Sequence, residues 1–370
     1  MTRCRSATTA PTTSEPGSAV SPDLSLPLGR PPRVLVTGAG GPSGVCFLRA
    51  LGGAAERYAA DLDANGAGLY LVPRAYRMLV PPGADPRYAE AVLRLCERHD
   101  IDVLVPTVDA ELVALARAAD AFADAGVRVL VSPAAALEAC LDKWRLAQAC
   151  RGTVRLPDTR LVGPGTPSAP DGGFPAIAKP RTGSGSRGIV VVRSADELAG
   201  LPQDGSYLLQ EFLPGTEYSV DVLTDVTGRV VAAVPRARDR TDSGIVVAGR
   251  VLDAPGLAGL AGDTVRTLGL RGVLNVQVRE DRSGQAALLE VNPRPPGGLS
   301  LTVAAGVDMP RWAVASLLGT PLPDRITHRE TAVVRHWQDV VLAPGELGDM
   351  GDTTEAARPD STGGNREAAA

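Results

Sequence analysis

The first third of the chain alternates short apolar runs with longer amphipathic stretches. From Arg33, the run VLVTGAGGPSG predicts a buried strand, a glycine turn and the start of a helix. Further strands are predicted to end near Asp61 and over 70–72, followed by the helix PRYAEAVLRLCERHD, the strand IDVLVPT, the helix AELVALARAADAFADAG and the strand VRVLVS. Alternating strands and helices indicate a parallel sheet, so we expect an α/β domain over residues 31–135.

The pattern changes between residues 136 and 345, where hairpins are mixed with helices. AALEACLDKWRLAQACRG predicts one helix, EYSVDVLTDVTGRVVAAVPRAR a hairpin, and GVLNVQVREDRSGQAALLEVN a last hairpin. This mixture predicts an α+β unit. Residues 1–30 and 346–370 show no apolar period and are predicted to be disordered tails.

Composition narrows the class of protein. A chain of 370 residues has room for two or three compact units, and 44% apolar residues are typical of a globular protein. The net charge of −4 gives no basic field for nucleic acid. No apolar run reaches the roughly 20 residues that cross a bilayer, and no apolar signal segment follows the N-terminus. We therefore expect a cytoplasmic protein that binds neither nucleic acid nor membrane.

Lysine is rare in this chain: among 38 Lys and Arg residues, only Lys143 and Lys179 are lysine. Lys179 precedes the loop RTGSGSRG (181–188). In such a loop, glycine lets backbone N–H groups close around phosphate oxygens, and serine hydroxyls and lysine add donors and charge. A flexible connector is the plain alternative. The adjoining lysine favours a phosphate site, formed by Lys179, Gly183, Ser184, Gly185 and Ser186.

Polar side chains gather on one face of the last hairpin. If the turn at 281–284 has two or four residues, the residue numbers of directly opposed positions add to an odd number. Odd-numbered residues of the first strand then share a face with even-numbered residues of the second strand. One face then holds the apolar residues Leu274, Val276, Val278, Ala287, Leu289 and Val291. The other face collects Asn275, Gln277, Glu290 and Asn292. Oxygen ligands suit Mg²⁺, which also takes phosphate and water oxygens, so we predict Gln277, Glu290 and Asn292 as metal ligands, with a solvated polar face as the alternative.

Arg294 follows this hairpin directly, in the segment PRPPGG (293–298). An arginine beside a metal can stabilise negative charge on a transferring phosphoryl group, and we predict that role for it. A salt bridge to Glu290 or to another nearby carboxylate is the alternative.

The glycine turn GAGGPSG (38–44) is an incomplete dinucleotide-binding motif. Ser43 stands where the regular fingerprint has its third glycine, although Asp61 and Asp63 lie about 20 residues further on. We therefore expect the turn to pack helix on strand or to line a substrate cleft, and NAD(P) binding is the less favoured reading.

Taken in order, VLVTGAGGPSG, PTVDAEL, DKWRLAQ, AIAKPRTGSGSRGI, LLQEFLPGTEYSVDVL and GVLNVQVREDRSGQAALLEVNPRPPGG resemble the motifs of the ATP-grasp superfamily. Within it, the chain is similar to one ATP-binding half of carbamoyl-phosphate synthetase. The resemblance implies a pre-ATP-grasp (Rossmann-like) domain over 31–135 and a two-subdomain ATP-grasp fold over 136–345. The lid subdomain is expected over about 137–210 and the C-terminal subdomain over about 211–345.

The resemblance also assigns roles to residues. ATP phosphates would be bound by Lys143 and Lys179 under the glycine-rich loop. Adenine would meet the strand edge at Gln210, Glu211, Phe212 and Leu213, and ribose would meet Glu217. Gln277, Glu290 and Asn292 match the ligands of Mg²⁺ or Mn²⁺. Catalytic candidates are Arg294, Lys179 and Arg238, with Arg236 and Arg250 on strands near the phosphates or a substrate carboxylate, and with Asp109 and Glu111 near the substrate cleft.

The implied reaction is ATP-dependent carboxylate–amine ligation through an acyl phosphate, which forms an amide and releases ADP and phosphate. The resemblance then implies amino-acid-like carboxylates and amines as small-molecule partners, in biosynthesis of a small metabolite. Because only one ATP-grasp unit is present, carbamoyl phosphate synthesis is not expected. A non-catalytic nucleotide sensor or assembly factor is the alternative, an NAD(P)-dependent oxidoreductase is the least favoured, and a homodimer is left open.

Overall fold

The computed structural model describes residues 21–24, 28–164, 170, 172–183, 187–242 and 244–353. Its N-terminal part is a parallel sheet with strand order β3-β2-β1-β4-β5. The strands are β1 (Arg33–Thr37), β2 (Glu56–Asp61), β3 (Arg77–Leu79), β4 (Val103–Val105) and β5 (Arg128–Val129). The helices are α1 (Pro42–Leu51), α2 (Tyr88–Arg98), α3 (Asp109–Arg117) and α4 (Ala119–Asp124). The predicted parallel α/β arrangement is confirmed.

Two helices, α5 (Ala134–Leu141) and α6 (Lys143–Cys150), lead into a small antiparallel sheet. Its strand order is β6-β9-β7-β8, and all of its pairings are antiparallel. The elements are β6 (Thr159–Leu161), β7 (Ala176–Pro180), β8 (Val190–Val192), α7 (Ala195–Ala199) and β9 (Tyr207–Glu211).

A larger antiparallel sheet follows, with order β14-β13-β10-β11-β12-β15. Its strands are β10 (Glu217–Thr224), β11 (Val230–Asp242), β12 (Ile245–Val251), β13 (Val273–Glu280), β14 (Ala286–Asn292) and β15 (Thr331–Val334). Its helices are α8 (Pro255–Leu268), α9 (Leu299–Ala304) and α10 (Met309–Leu317). Together with the small sheet it confirms the predicted α+β character. Among the described residues, no helix is both long and apolar enough to cross a bilayer.

Several predicted elements differ from the structure. The strand predicted over 70–72 is a short 3₁₀ turn at Ala67–Leu71, and the strand itself is β3. Glycine is needed at position 68 of this turn, because a Cβ there would lie 1.9 Å from the Ala39 carbonyl oxygen. The helix predicted over AALEACLDKWRLAQACRG is broken at Asp142, which caps the second half.

Parts of both predicted tails pack against the fold. Leu24 is fully buried, and the Ser21 hydroxyl donates to Asp308 at 2.9 Å. At the other end, β16 (Asp352–Thr353) adds a parallel strand beside β3. Arg74 pairs there with Asp349 at 2.5 Å. These segments gain order from specific contacts, which apolar periodicity alone does not reveal.

One hydrophobic core joins the first sheet to the large sheet. It combines residues of β1 and α1, such as Val36 and Phe47, with Val246 of β12 and Trp312 of α10. The carboxyl-terminal edge of the parallel sheet therefore faces the large sheet. A cleft at such an edge is the usual ligand position in open α/β sheets.

Candidate active site

Two cavities meet on one face of the large sheet. The lysine cavity, of about 410 Å³, lies between the small and large sheets and contains Lys143 and Lys179. The arginine cavity, of about 490 Å³, lies between the first sheet and the large sheet and contains Arg236 and Arg294. Both cavities are lined by Arg238, Gly244, Gln277 and Glu290. These four residues form a shared wall between them.

Lys143 is placed by the break between α5 and α6. The Asp142 carboxylate accepts hydrogen bonds from two backbone amides of α6 and pairs with Arg181 at 2.7 Å. Lys143 is consequently the first residue of α6, and its ammonium donates to the Gly183 carbonyl at 2.7 Å. The ammonium thus lies against the start of the glycine-rich loop. Of the predicted loop residues, Gly183 lines the lysine cavity, whereas Ser184, Gly185 and Ser186 lie outside the described residues.

Lys179 stands on β7 and is only 6% exposed. Its ammonium donates to the Leu289 carbonyl at 3.3 Å. Burial lowers the pKa of Lys179 to about 8, and nearby Lys143 lowers it further, whereas Glu290 and Glu217 act in the opposite direction. A buried ammonium with one weak protein partner is a strong potential ligand for an anion.

The strand edge predicted for adenine lines the same cavity. All of Gln210, Glu211, Phe212 and Leu213 contribute to it. The Gln210 amide donates to the Thr159 hydroxyl at 2.8 Å, and the Glu211 carboxylate accepts from the Asp158 amide at 3.3 Å. Glu217 also lines the cavity, but its carboxylate pairs with Arg238 and lies 3.7 Å from Arg279.

The large sheet arranges the remaining polar side chains in rows. Arg236 lies opposite Ser219, Ser219 opposite Gln277, and Gln277 opposite Glu290. A neighbouring row contains Asp221, Asn275 and Asn292. Directly opposed residues of an antiparallel sheet share a face, and so do residues two apart on a strand. The structure therefore brings the three predicted metal ligands to one face.

The last hairpin differs from the prediction in the length of its turn and in the presence of a bulge. Glu280 pairs with Ala286, so the turn has five residues. A bulge between Gln277 and Val278 shifts the register by one residue, so that beyond the bulge the numbers of paired residues again add to an odd number. Leu288 is in the core where Leu289 was predicted. Leu289 instead lines the lysine cavity and offers its carbonyl to Lys179. The face prediction was therefore wrong on the turn side of the bulge.

Among the three predicted ligands, Asn292 contacts Glu290, and Gln277 lies directly opposite Glu290 on the neighbouring strand. Asn292 Nδ2 lies 3.4 Å from Glu290 Oε1 and 3.5 Å from Asn275 Oδ1, and Arg238 Nη1 lies 3.4 Å from Gln277 Oε1. No group of three His, Cys, Asp or Glu side chains that could hold a metal ion occurs in the described part of the chain. One carboxylate with amide oxygens nevertheless fits Mg²⁺, which is usually held by one or two carboxylates, phosphates and water.

Arg294 connects the two halves of the arginine cavity. Its guanidinium forms a bidentate pair with Asp109 at 2.8 and 2.9 Å, which is the nearby carboxylate considered as an alternative partner. Arg238 donates to the Gly244 carbonyl at 2.8 Å as well as to Glu217. Arg250 lies on β12, whose residues Ile245 and Val246 line the arginine cavity, but its own side chain pairs with Asp239 and lines neither cavity.

The opposite wall of the arginine cavity comes from the first sheet. Asp61 accepts a hydrogen bond from the Gly40 amide at 2.7 Å and so closes the glycine turn on itself. Glu111 accepts from the Thr107 and Val108 amides at 2.8 Å and from Tyr88, and burial raises its pKa. Asp109 and Glu111 both line the cavity, and their place near a substrate cleft stays a prediction.

One buried ion pair was not expected from the sequence. Asp221 on β10 and Arg236 on β11 are 0% and 2% exposed and pair at 2.6 Å between the two rows of polar residues. The available signal was a lone carboxylate in the apolar run YSVDVL, since buried charges are normally paired.

Comparison with known proteins agrees with this geometry. Residues 203–340 match the family described as ATP-grasp in the biosynthetic pathway with Ter operon, and residues 43–130 match the PylC-like N-terminal domain. The carbamoyl phosphate synthase large chain of Deinococcus radiodurans is 32% identical over 194 residues, which are 46% of this chain and 19% of that protein. A D-alanine-D-alanine ligase of a Thermotoga species is 30% identical over 120 residues, 31% of this chain and 39% of that protein.

Solved structures show the same fold. The biotin carboxylase of Campylobacter jejuni, in a complex with an ATP analogue, superposes with a TM-score of 0.65 at 17% identity over 79% of this chain and 72% of that one. The chain spans less than a third of the length of the synthase large chains that it matches. Residues 203–340 are therefore similar to an ATP-grasp family, and the chain shares the fold of the biotin carboxylase.

Proposed function

We propose that this chain is an ATP-dependent carboxylate–amine ligase that forms an amide through an acyl phosphate and releases ADP and phosphate. The observation that supports it best is the shared wall of Arg238, Gly244, Gln277 and Glu290. A nucleotide in the lysine cavity would place its terminal phosphate at this wall. A carboxylate in the arginine cavity would approach the same wall from the other side.

Within the lysine cavity, charge and hydrogen bonding favour a nucleotide. Lys143 and Lys179 supply the two ammonium groups, and the strand edge at Glu211–Leu213 supplies backbone groups for a base. Glu217 takes ribose hydroxyls in this proposal, which requires rearrangement of its pairs with Arg238 and Arg279. ATP is therefore the expected co-substrate.

Gln277, Glu290 and Asn292 would hold Mg²⁺ or Mn²⁺. When bound, the metal ion neutralises charge on the phosphates. The chain's own contribution to transfer is electrostatic and positional: Lys179 and Arg238 orient the terminal phosphate, and Arg294 stabilises charge as the substrate carboxylate attacks phosphorus. The attack displaces ADP and leaves an acyl phosphate. An amine then forms the C–N bond as phosphate departs with the electrons of the C–O bond.

The test is a screen for ADP release with amino acids and simple amines offered in pairs, followed by product mass. Release should require an acid, an amine and Mg²⁺ together, and the product should equal the two substrates minus water. Glu290→Gln should lower turnover by at least about a hundredfold, because the only carboxylate of the predicted metal set is lost. Glu138→Gln, which changes a half-buried glutamate that pairs with Arg117 and Arg145 and lines neither cavity, is the matched control. Metal-independent release, or none with any pair, contradicts the proposal.

A further inference from the structure

Strand β15 forms one edge of the large sheet. In the described part of the chain it pairs with β12 alone. The Arg335 amide donates to the Val247 carbonyl at 2.8 Å, so the odd-numbered residues of this segment direct their backbone groups toward β12. The N–H and C=O groups of Ala332 and Val334 consequently point away from the sheet. An edge of this kind can accept a further strand.

Exposed apolar side chains are concentrated on and just after this edge strand. Among the described residues, the most exposed large apolar side chains are Trp337 (93%), Val341 (92%) and Val334 (79%). Edge strands are normally protected by lysine, proline or a bulge. Thr331–Val334 contains neither residue, and its pairing with β12 has no bulge. Such an edge is suited to association with another strand.

The residues on either side of β15 complement each other when two copies of the strand are set antiparallel. Glu330 precedes the strand, His336 follows it, and both are exposed. If the two copies pair about Val333, then Ala332 lies opposite the partner's Val334, and the outward backbone groups of both can form hydrogen bonds. In the same register Glu330 lies opposite the partner's His336. A two-fold axis produces each of these contacts twice.

We propose that β15 pairs with β15 of a second copy of this chain, so that two large sheets join into one across a two-fold axis. A strand of another sequence could use the same backbone groups, but this chain itself supplies the matching side chains. Besides the pair of Glu330 with the partner's His336, continuation of the register brings Trp337 opposite the partner's Arg329, which is exposed. An arginine over an indole ring is a favourable contact.

The dimer is expected to be weak and dependent on concentration. Trp337 contributes about 200 Å² of contact when it is covered. A segment of this length brings the interface to roughly 1,000 Å² in total, below the standard size of about 1,600 Å². Interfaces of this size are typical of transient association, so we expect a Kd on the order of 10 µM.

The paired edge would lie directly behind the arginine cavity. Arg335, which follows β15, donates to the Gly297 carbonyl at 2.9 Å and to the Val246 carbonyl at 3.2 Å. Gly297 and Val246 both line that cavity. A second strand outside β15 would hold the arginine and these two carbonyls in place. Association of this kind does not depend on the proposed ligase activity, so it is tested without substrates.

The first experiment is sedimentation velocity of the full chain at concentrations from about 1 to about 200 µM. Wild type should pass from monomer to dimer as the concentration rises. Val334→Lys places a charge on the edge and should raise the Kd of the dimer at least about tenfold. Val226→Lys is the matched control, because Val226 is also exposed but lies in the turn between β10 and β11. A monomer at every concentration, or equal effects of the two substitutions, overturns the proposal.

A second pair of variants tests the register. His336→Glu would set a glutamate opposite the partner's Glu330, and this repulsion should raise the Kd about threefold or more. Adding Glu330→Lys to that variant restores opposite charges and should return the Kd to near the wild-type value. A Kd that the second substitution does not lower contradicts the pairing about Val333. A dimer that persists unchanged in Val334→Lys uses another surface, and the proposal then fails.

Discussion

Nucleotide affinity should fall with rising pH because Lys179 loses its charge. The pKa of Lys179 is about 8 in the free protein, chiefly through burial. About nine in ten molecules then carry the ammonium at pH 7, and about one in eleven at pH 9. If only the charged form binds phosphate well, the Kd for MgADP should rise about tenfold between pH 7 and pH 9, and about tenfold for each further pH unit.

The measurement is isothermal calorimetry with MgADP from about pH 7 to about pH 10. Lys179→Arg should flatten the profile, since guanidinium stays protonated throughout this range. Lys143→Arg replaces the only other lysine and should retain the rise, because Lys179 is unchanged. A flat wild-type profile, or the same rise in Lys179→Arg, would refute the reasoning.

The lowered pKa of Lys179 also predicts that folding stability changes with pH. Between about pH 8 and 10.5 the unfolded chain binds a proton at Lys179 that the folded chain has lost. The free energy of unfolding should therefore increase with pH in this window, by about 3 kcal/mol in total as an order of magnitude. Lys179→Met should weaken that increase in urea unfolding measured at both ends of the window. The increase is the opposite of what a lysine with a raised pKa would give.

Three further outcomes follow from the contacts. Asp221→Ala should lower the free energy of unfolding by about 3 to 5 kcal/mol in urea, because it leaves a buried guanidinium unpaired. Gly68→Ala should lower the free energy of unfolding by about 1 to 3 kcal/mol, since its Cβ would lie 1.9 Å from a carbonyl oxygen. Gly53→Ala is the control, because no atom lies within 4 Å of its Cβ, and it should lower the free energy of unfolding by less than about 0.5 kcal/mol. Asp109→Asn should lower kcat/KM about tenfold or more through loss of the bidentate pair with Arg294, and unchanged kinetics would exclude a role for that pair.

The order of elements could be predicted from periodicity because strands and helices place apolar residues at different intervals. The parallel α/β region and the later hairpins are examples, and so is the shared face of Gln277 and Glu290. Two local errors cancelled in the last hairpin: the turn has five residues, and the bulge at Gln277 restores the register. Side chains alternate between the two faces of a strand, so this alternation predicts the face of a residue only as far as the next bulge.

The sequence by itself determined the superfamily resemblance, the layered architecture and the residues that gather on β13 and β14. Tertiary structure decided which groups are paired: Arg294 with Asp109, 185 residues away, and Arg236 with Asp221. It also decided that Arg250 lies outside both cavities and that Leu24 is buried in the core. Local pattern records the spacing of side chains along one element. Pairing of charges depends on where distant elements meet, and only the packed chain sets that.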